Sequence, residues 1–273
     1  MARIHVNGVD LFYDFSGNVG EAVALVHGSW ASHRDWEFVA PELSKSHRVL
    51  TYDRRGHSQS ERPPGQGSIR EDVNDLAILI EELGLPPAWV VGNSLGASIA
   101  LRLAAERPDL LRGVVAHEPP LFSLLSEDPA QRPMLQEIEH QLGIVASYID
   151  AGEHARAAER FMDEVIFGPG AWEHMPQEVR DEMTENAPSF LDEFNDREMM
   201  AIDIEALQQQ RLPILLTTGG QSPPLFAPVI DALAAIIPEM EVYCFEQAGH
   251  IPHVTHPEPY IDATRRFIGT AQV

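Results

Sequence analysis

Val90-Val91-Gly92-Asn93-Ser94-Leu95-Gly96-Ala97 decides how this 273-residue chain is read. The apolar run Ala88 to Val91 leads into it, and a helical pattern from about Ser94 to Glu106 leads out. A serine flanked at two residues by Gly92 and Gly96, on a strand-to-helix turn, is the setting of a nucleophile elbow. There the serine takes a strained turn and the glycines admit close backbone packing. A small-residue turn without chemistry is the plainer reading of the same letters.

Outward from that stretch, short apolar strands alternate with helices. On the N-terminal side, Arg3 to Val6, Asn7-Gly8 and Val9 to Phe15 read as a hairpin, because both turn positions need positive φ. Ala22 to Val26 and Arg48 to Tyr52 read as strands, with a helix between them suggested by Trp36, Val39 and Leu43. Ser68 with Glu71 forms a capping box that opens an amphipathic helix to about Leu83. On the C-terminal side come strands Gly113 to His117, Pro213 to Thr217 and Glu241 to Phe245. Helices from about Phe226 to Ile237 and Glu258 to Phe267 complete the pattern. Such alternation predicts an α/β fold: a mostly parallel sheet covered on both faces, with the hairpin adding antiparallel strands at one edge.

The stretch 121–212 interrupts the alternation. Its apolar residues recur at helical spacing (Leu135, Ile138 and Leu142; Phe161, Val165 and Ile166), which predicts a helical cap inserted into a core of residues 1–120 and 213–273. Within 127–205, 20 Asp and Glu face 5 Arg, so this segment carries −15 of the chain's net −23. That excess reads as a solvated outer face, or as an acidic entrance that disfavours anionic substrates. The overall acidity argues against nucleic-acid and membrane partners. Cys244, the single cysteine, excludes an intrachain disulfide and reads as a buried small hydrophobe. The first residues carry no apolar signal region and no apolar run nears about 18 residues, so a cytoplasmic protein is expected, monomer or homodimer.

His27-Gly28-Ser29-Trp30 follows an earlier strand. A glycine turn there can aim the N–H of Ser29 or Trp30 at a developing oxyanion, beside that of Leu95. His250, in Gly249-His250 after the last strand, is placed to take the serine proton and return it to the leaving group. His253 and His256 invite a metal reading, but Pro252 and Pro257 break any shared helix face, so no metal and no cofactor are expected.

Together these segments resemble the α/β-hydrolase superfamily. The resemblance runs through the hairpin, the His27 turn, Tyr52-Asp53-Arg54-Arg55-Gly56-His57-Ser58-Gln59-Ser60, the elbow and Gly249-His250. The segment at Asp53 is similar to a family loop that is chiefly structural, so Asp53 takes no catalytic role. Family members often carry their acid after the strand that here ends near Thr217, yet Ala206 to Ile230 holds no Asp or Glu. Glu118, directly after the strand beside the elbow, is the replacement. That placement resembles serine hydrolases, haloalkane dehalogenases and zearalenone-type lactone hydrolases of the superfamily.

A serine nucleophile implies acyl transfer through an acyl-enzyme, so the expected activity is hydrolysis of a carboxylic ester or lactone. C–C bond hydrolysis, a cofactor-free perhydrolase or haloperoxidase side activity, and a hydrolase-fold ligand receptor are the alternatives. Candidate lining residues are Trp30, Leu121, Phe122, Phe161, Phe167, Trp172, Phe190 and Phe194, which suit a small-molecule substrate, an apolar, medium-sized acyl ester or lactone.

Overall fold

The computed structural model describes residues 1–271. Eight strands, β1 (Ala2–Val6), β2 (Val9–Ser16), β3 (Ala22–Val26), β4 (Arg48–Tyr52), β5 (Ala88–Asn93), β6 (Leu111–His117), β7 (Ile214–Gly219) and β8 (Glu241–Phe245), form one sheet. Their order is β1-β2-β4-β3-β5-β6-β7-β8. β1 and β2 pair antiparallel, β2 meets β4 antiparallel, and the remaining pairs are parallel. Asn7 and Gly8 turn the hairpin at φ +47° and +80°, the left-handed pair that a two-residue turn matching strand twist requires.

Alternation along the central strands sorts side chains into two cores. Val23, Leu25, Trp89, Val91 and Val115 pack on one face with Trp36, Tyr260 and Phe267. Ala24, Val26, Val90, Val114 and Ala116 pack on the other with Leu76, Ile99 and Leu103. The covering helices are α1 (Ile69–Glu82), α2 (Leu95–Glu106), α6 (Ala227–Ile236) and α7 (Pro257–Thr270). Ser68 caps α1, its Oγ accepting from the Glu71 amide.

Residues 121–212, between β6 and β7, contain no strand. Their longer helices are α3 (Arg132–Asp150), α4 (His154–Phe161) and α5 (Gln177–Asn195), and α4 runs on into a π turn over Met162–Ile166. Phe161, at that junction, points its ring at Trp30 of the core (centroids 5.4 Å apart).

Two expectations need correction. The helix expected across Trp36, Val39 and Leu43 is a 3-10 turn, His33–Trp36, followed by a separate turn, Ala40–Leu43. Pro41 has no N–H to continue the first turn and suits the start of a second. Cys244 is half-buried rather than buried, because β8 is an edge strand whose Val242 and Tyr243 face solvent. No helix of the described residues is long and apolar enough to cross a membrane.

Candidate active site

Strand register assembles the site at the carboxyl ends of adjacent strands. The chain leaves β3 toward β4 on one side and returns to β5 on the other, so loops following β3 and β5 diverge and leave a crevice. Val26 pairs with Gly92, which sets the His27 turn beside the elbow. Asn93 pairs with His117, so Ser94 and Glu118 emerge side by side. His117 pairs with Thr217, which puts Glu118 against Thr218 and Gly219.

Ser94 sits at φ +54°, ψ −122°, with its N–H donating to the His117 carbonyl at 2.8 Å. A side chain held in so sparsely populated a region costs on the order of 1–3 kcal/mol. The glycines explain how the turn fits. A Cβ at Gly92 would lie 2.3 Å from the Gly96 carbonyl oxygen, and one at Gly96 would lie 2.1 Å from that of Val26. Gly28 also brings the His27 turn close, though less tightly, since a Cβ there would meet the Ser94 Cβ at 3.1 Å. Among the described residues, the N–H groups of Ser29 and Leu95 have no acceptor within the protein. Leu95 is the first residue of α2, where a helix leaves its amides unpaired. Trp30 follows at φ +67°.

Glu118 is fully buried and also holds a positive φ, +46°. Its Oε1 accepts from Thr218 Oγ1 and the Gly219 amide, both at 2.8 Å. Its Oε2 lies 2.7 Å from His250 Nδ1. Burial pushes this carboxyl's pKa up, but the imidazoles of His117 and His250 outweigh it and hold Glu118 well below the usual carboxylate range. An ionised carboxylate only accepts, so Nδ1 of His250 carries the proton and Nε2 is left as its basic nitrogen. His250 is held by two further contacts, one to its backbone and one to its ring. Asn93 Nδ2 donates to the His250 carbonyl at 2.8 Å, and Phe226 stacks on the ring at 4.2 Å and 8°. Among the described residues no hydrogen bond joins His250 to the Ser94 hydroxyl; such contacts often tighten only around substrate.

His117, Glu118 and His250 each bring one ligand atom within 4.8 Å of the others, but the Glu118–His250 hydrogen bond already occupies the facing atoms. His117 is buried, which lowers its pKa and keeps it neutral. His253 is buried against Trp36, with ring centroids 4.5 Å apart.

Two cavities share Ser94. One, of about 600 Å³ with its mouth included, is lined by Ser29, Leu95, Phe122, Phe161, Phe190 and Phe194 among others, and by one carboxylate, Glu193. The other, of about 660 Å³, runs past His250, Trp30, Phe161, Phe167, Asp35 and Glu182. Leu121 and Trp172 line neither. Leu121 is wholly buried in the core, where its amide closes a tight turn onto Pro119. Trp172 is tied to Asp163 through its amide (2.8 Å) and lies beneath Arg180. Sequence reasoning missed Phe226, Asn93, Thr218 and Glu193. Asn93, inside the elbow, Thr218, directly after the strand Pro213 to Thr217, and Phe226, opening a predicted helix, stood near recognised segments, whereas nothing local marked Glu193.

Asp53 serves the loop as expected, accepting from the amides of His33 and Gln59 and from the His33 ring. Arg55 is bound by both oxygens of Asp75.

A strained serine at the centre of this sheet, with a carboxylate–imidazole pair on the neighbouring loops, defines an α/β-hydrolase. The chain belongs to the alpha/beta hydrolase family, whose model matches residues 23–263. An uncharacterized hydrolase of Bacillus subtilis, YraK, is 34% identical over 124 residues, so the match spans 45% of each chain. The mouse sn-1-specific diacylglycerol lipase ABHD11 is 24% identical over 255 residues, covering 90% of this chain and 80% of that one. A thermophilic esterase from Thermogutta terrifontis superposes over 100% of both chains with a TM-score of 0.79 at 23% identity.

Proposed function

We propose that the protein is a serine hydrolase that cleaves a carboxylic ester or lactone through an acyl-enzyme on Ser94. The observation that carries this reading is the 2.7 Å Glu118–His250 hydrogen bond beside a serine held at φ +54°. Serine rather than aspartate at the elbow favours an acyl intermediate over an alkyl one.

In the proposed cycle Ser94 Oγ adds to the substrate carbonyl while its proton passes to His250 Nε2. The Ser29 and Leu95 amides receive the oxyanion, each worth roughly 3 kcal/mol. His250 then protonates the leaving oxygen, and water repeats the sequence on the acyl-enzyme. Glu118, kept ionised, stabilises the imidazolium without taking its proton. The cavity containing His250 suits the leaving group, because that side supplies its proton. The aromatic cavity beside Leu95 suits an apolar acyl chain. Residues 121–212 act as a cap, supplying Phe161, Phe190 and Phe194 to that pocket. The names of two relatives, a lipase and an esterase, agree with ester chemistry.

The test is a panel of p-nitrophenyl esters of graded acyl length and of lactones, with Ser94→Ala as blank. Turnover that requires Ser94 and favours medium apolar acyl chains supports the proposal. No hydrolysis across the panel contradicts it.

A further inference from the structure

Helix α5 of the insertion carries polar side chains on the face it turns toward the core. Asn186 and Glu193, two turns apart, are both buried. Asn186 Oδ1 accepts from the Ser58 amide at 2.7 Å, which fixes which end of the side chain is oxygen. Its Nδ2 therefore faces the carbonyls of Trp30 and Ala31, both at 3.1 Å. Glu193 Oε1 accepts from Arg54 Nη2 at 2.6 Å. Arg54 is fully buried, and Asp72 of α1 accepts from its Nε and Nη2 at 3.2 and 3.3 Å. Its Nη1 donates to the Gly28 carbonyl at 3.2 Å.

That carbonyl belongs to the peptide whose N–H is the Ser29 oxyanion donor. A second donor meets it from inside the turn. The Arg54 amide donates to His27 Nε2 at 2.9 Å, so the proton of neutral His27 sits on Nδ1, 2.8 Å from Gly28 O. Burial, with help from the Arg54 charge, lowers the His27 pKa to about 4 and keeps the ring in this state. Two donors on one carbonyl fix the peptide plane and polarise the N–H on its far side. The strained Trp30 backbone, φ +67°, is held by the next carbonyls along, through Asn186.

We infer that Asn186 and Glu193 are positioning residues of the oxyanion hole. The insertion grips the loop 28–31 directly through Asn186, and through Arg54 by way of Glu193. The inference rests on the serine-hydrolase reading, with Ser29 N–H as an oxyanion donor. On it, the insertion does more than cover the pocket: its seating sets the geometry of one catalytic amide. A displaced donor weakens the tetrahedral state, while Asn186 lines neither cavity and Glu193→Gln keeps the size and shape of the one side chain that does. The loss should therefore fall on kcat and spare KM.

The test uses the full chain, with Asn186→Ala and Glu193→Gln, the second retaining an acceptor for Arg54. Each is assayed on a p-nitrophenyl ester and inhibited by an alkyl trifluoromethyl ketone. That ketone takes Ser94 Oγ onto its carbonyl carbon, passes the serine proton to His250 and leaves its oxygen as the oxyanion. Asn186→Ala should lower kcat roughly 10–100-fold with KM within about two-fold, and raise the ketone's Ki by the same factor as kcat falls. Glu193→Gln should do the same at roughly 3–10-fold. If Asn186→Ala does not fold, Glu193→Gln alone carries the comparison. Retained kcat, or a lower kcat with unchanged Ki, overturns the inference. Labelling of wild type by a fluorophosphonate separates the two readings. No label and no esterase activity overturns both, whereas a labelled wild type with unaffected variants overturns this inference alone.

Discussion

Replacing Glu118 by glutamine changes one heavy atom and leaves the surrounding donors in place. Thr218 Oγ1 and the Gly219 amide both point at Oε1 from 2.8 Å, so they select the amide oxygen for that position. The NH2 group is then turned to the Oε2 position, 2.7 Å from His250 Nδ1. A donor facing Nδ1 forces that nitrogen to accept, and the imidazole proton moves to Nε2. In that tautomer His250 has no lone pair with which to take the Ser94 proton. The analogous loss of a triad acid costs about 10⁴-fold in kcat, or roughly 5.5 kcal/mol of transition-state stabilisation. Stopped-flow turnover of a p-nitrophenyl ester, with thermal unfolding followed alongside, reads both quantities. The expected result is a collapse of kcat with the fold retained. Asp231→Ala, on the exposed side of α6, should have no effect. Glu118→Gln within ten-fold of wild type, or an inactive Asp231→Ala, would refute the assignment of the acid.

Ser94→Gly should abolish turnover and raise stability by about 1 kcal/mol, since glycine adopts φ +54° without the steric cost; a chemical denaturation midpoint reads the change. Gly96→Ala should destabilise by several kcal/mol or prevent folding, because its Cβ would enter 2.1 Å from the Val26 carbonyl oxygen, a backbone atom held in the sheet. Glu182, on α5 facing Ser32, Arg34 and Asp35, is pushed by burial from an ordinary 4.5 up to about 7. The folded state therefore holds more protons than the unfolded one between these values, and this group's contribution to stability falls as pH rises through them. Glu182→Gln should flatten that slope and gain up to roughly 3 kcal/mol at pH 8, read from denaturation curves at pH 5 and pH 8.

Much of the core is legible in the sequence because each of its signals is local. Asn7-Gly8 specifies its turn by backbone sign, Ser68 and Glu71 mark a helix start, and Gly92, Ser94 and Gly96 meet within one turn. Glu118 was reached by another route, from the missing carboxylate at the usual position. What escaped depends on contacts between distant segments. Asn186 and Glu193 sit in a helix rich in exposed acids, and nothing local distinguishes a buried acceptor from its solvated neighbours. Arg54 is the link to Glu193: the structure buries it in the loop between a buried strand and α1, and a buried guanidinium needs buried partners. The polar spacing of Asn186, Ser189 and Glu193 along one side of α5 would then have nominated them. Leu121 and Trp172 erred the other way, since an apolar residue in an insertion packs its own hydrophobic core as readily as it lines a pocket.

The acyl-enzyme is the claim on which the rest depends. Rapid quenching of wild type with a p-nitrophenyl ester during the burst, followed by intact-mass and peptide mapping, detects it directly. The account predicts one acyl group per chain, carried on Ser94, and none in Ser94→Ala. Steady turnover with no adduct, an adduct on another residue, or undiminished turnover in Ser94→Ala would contradict it.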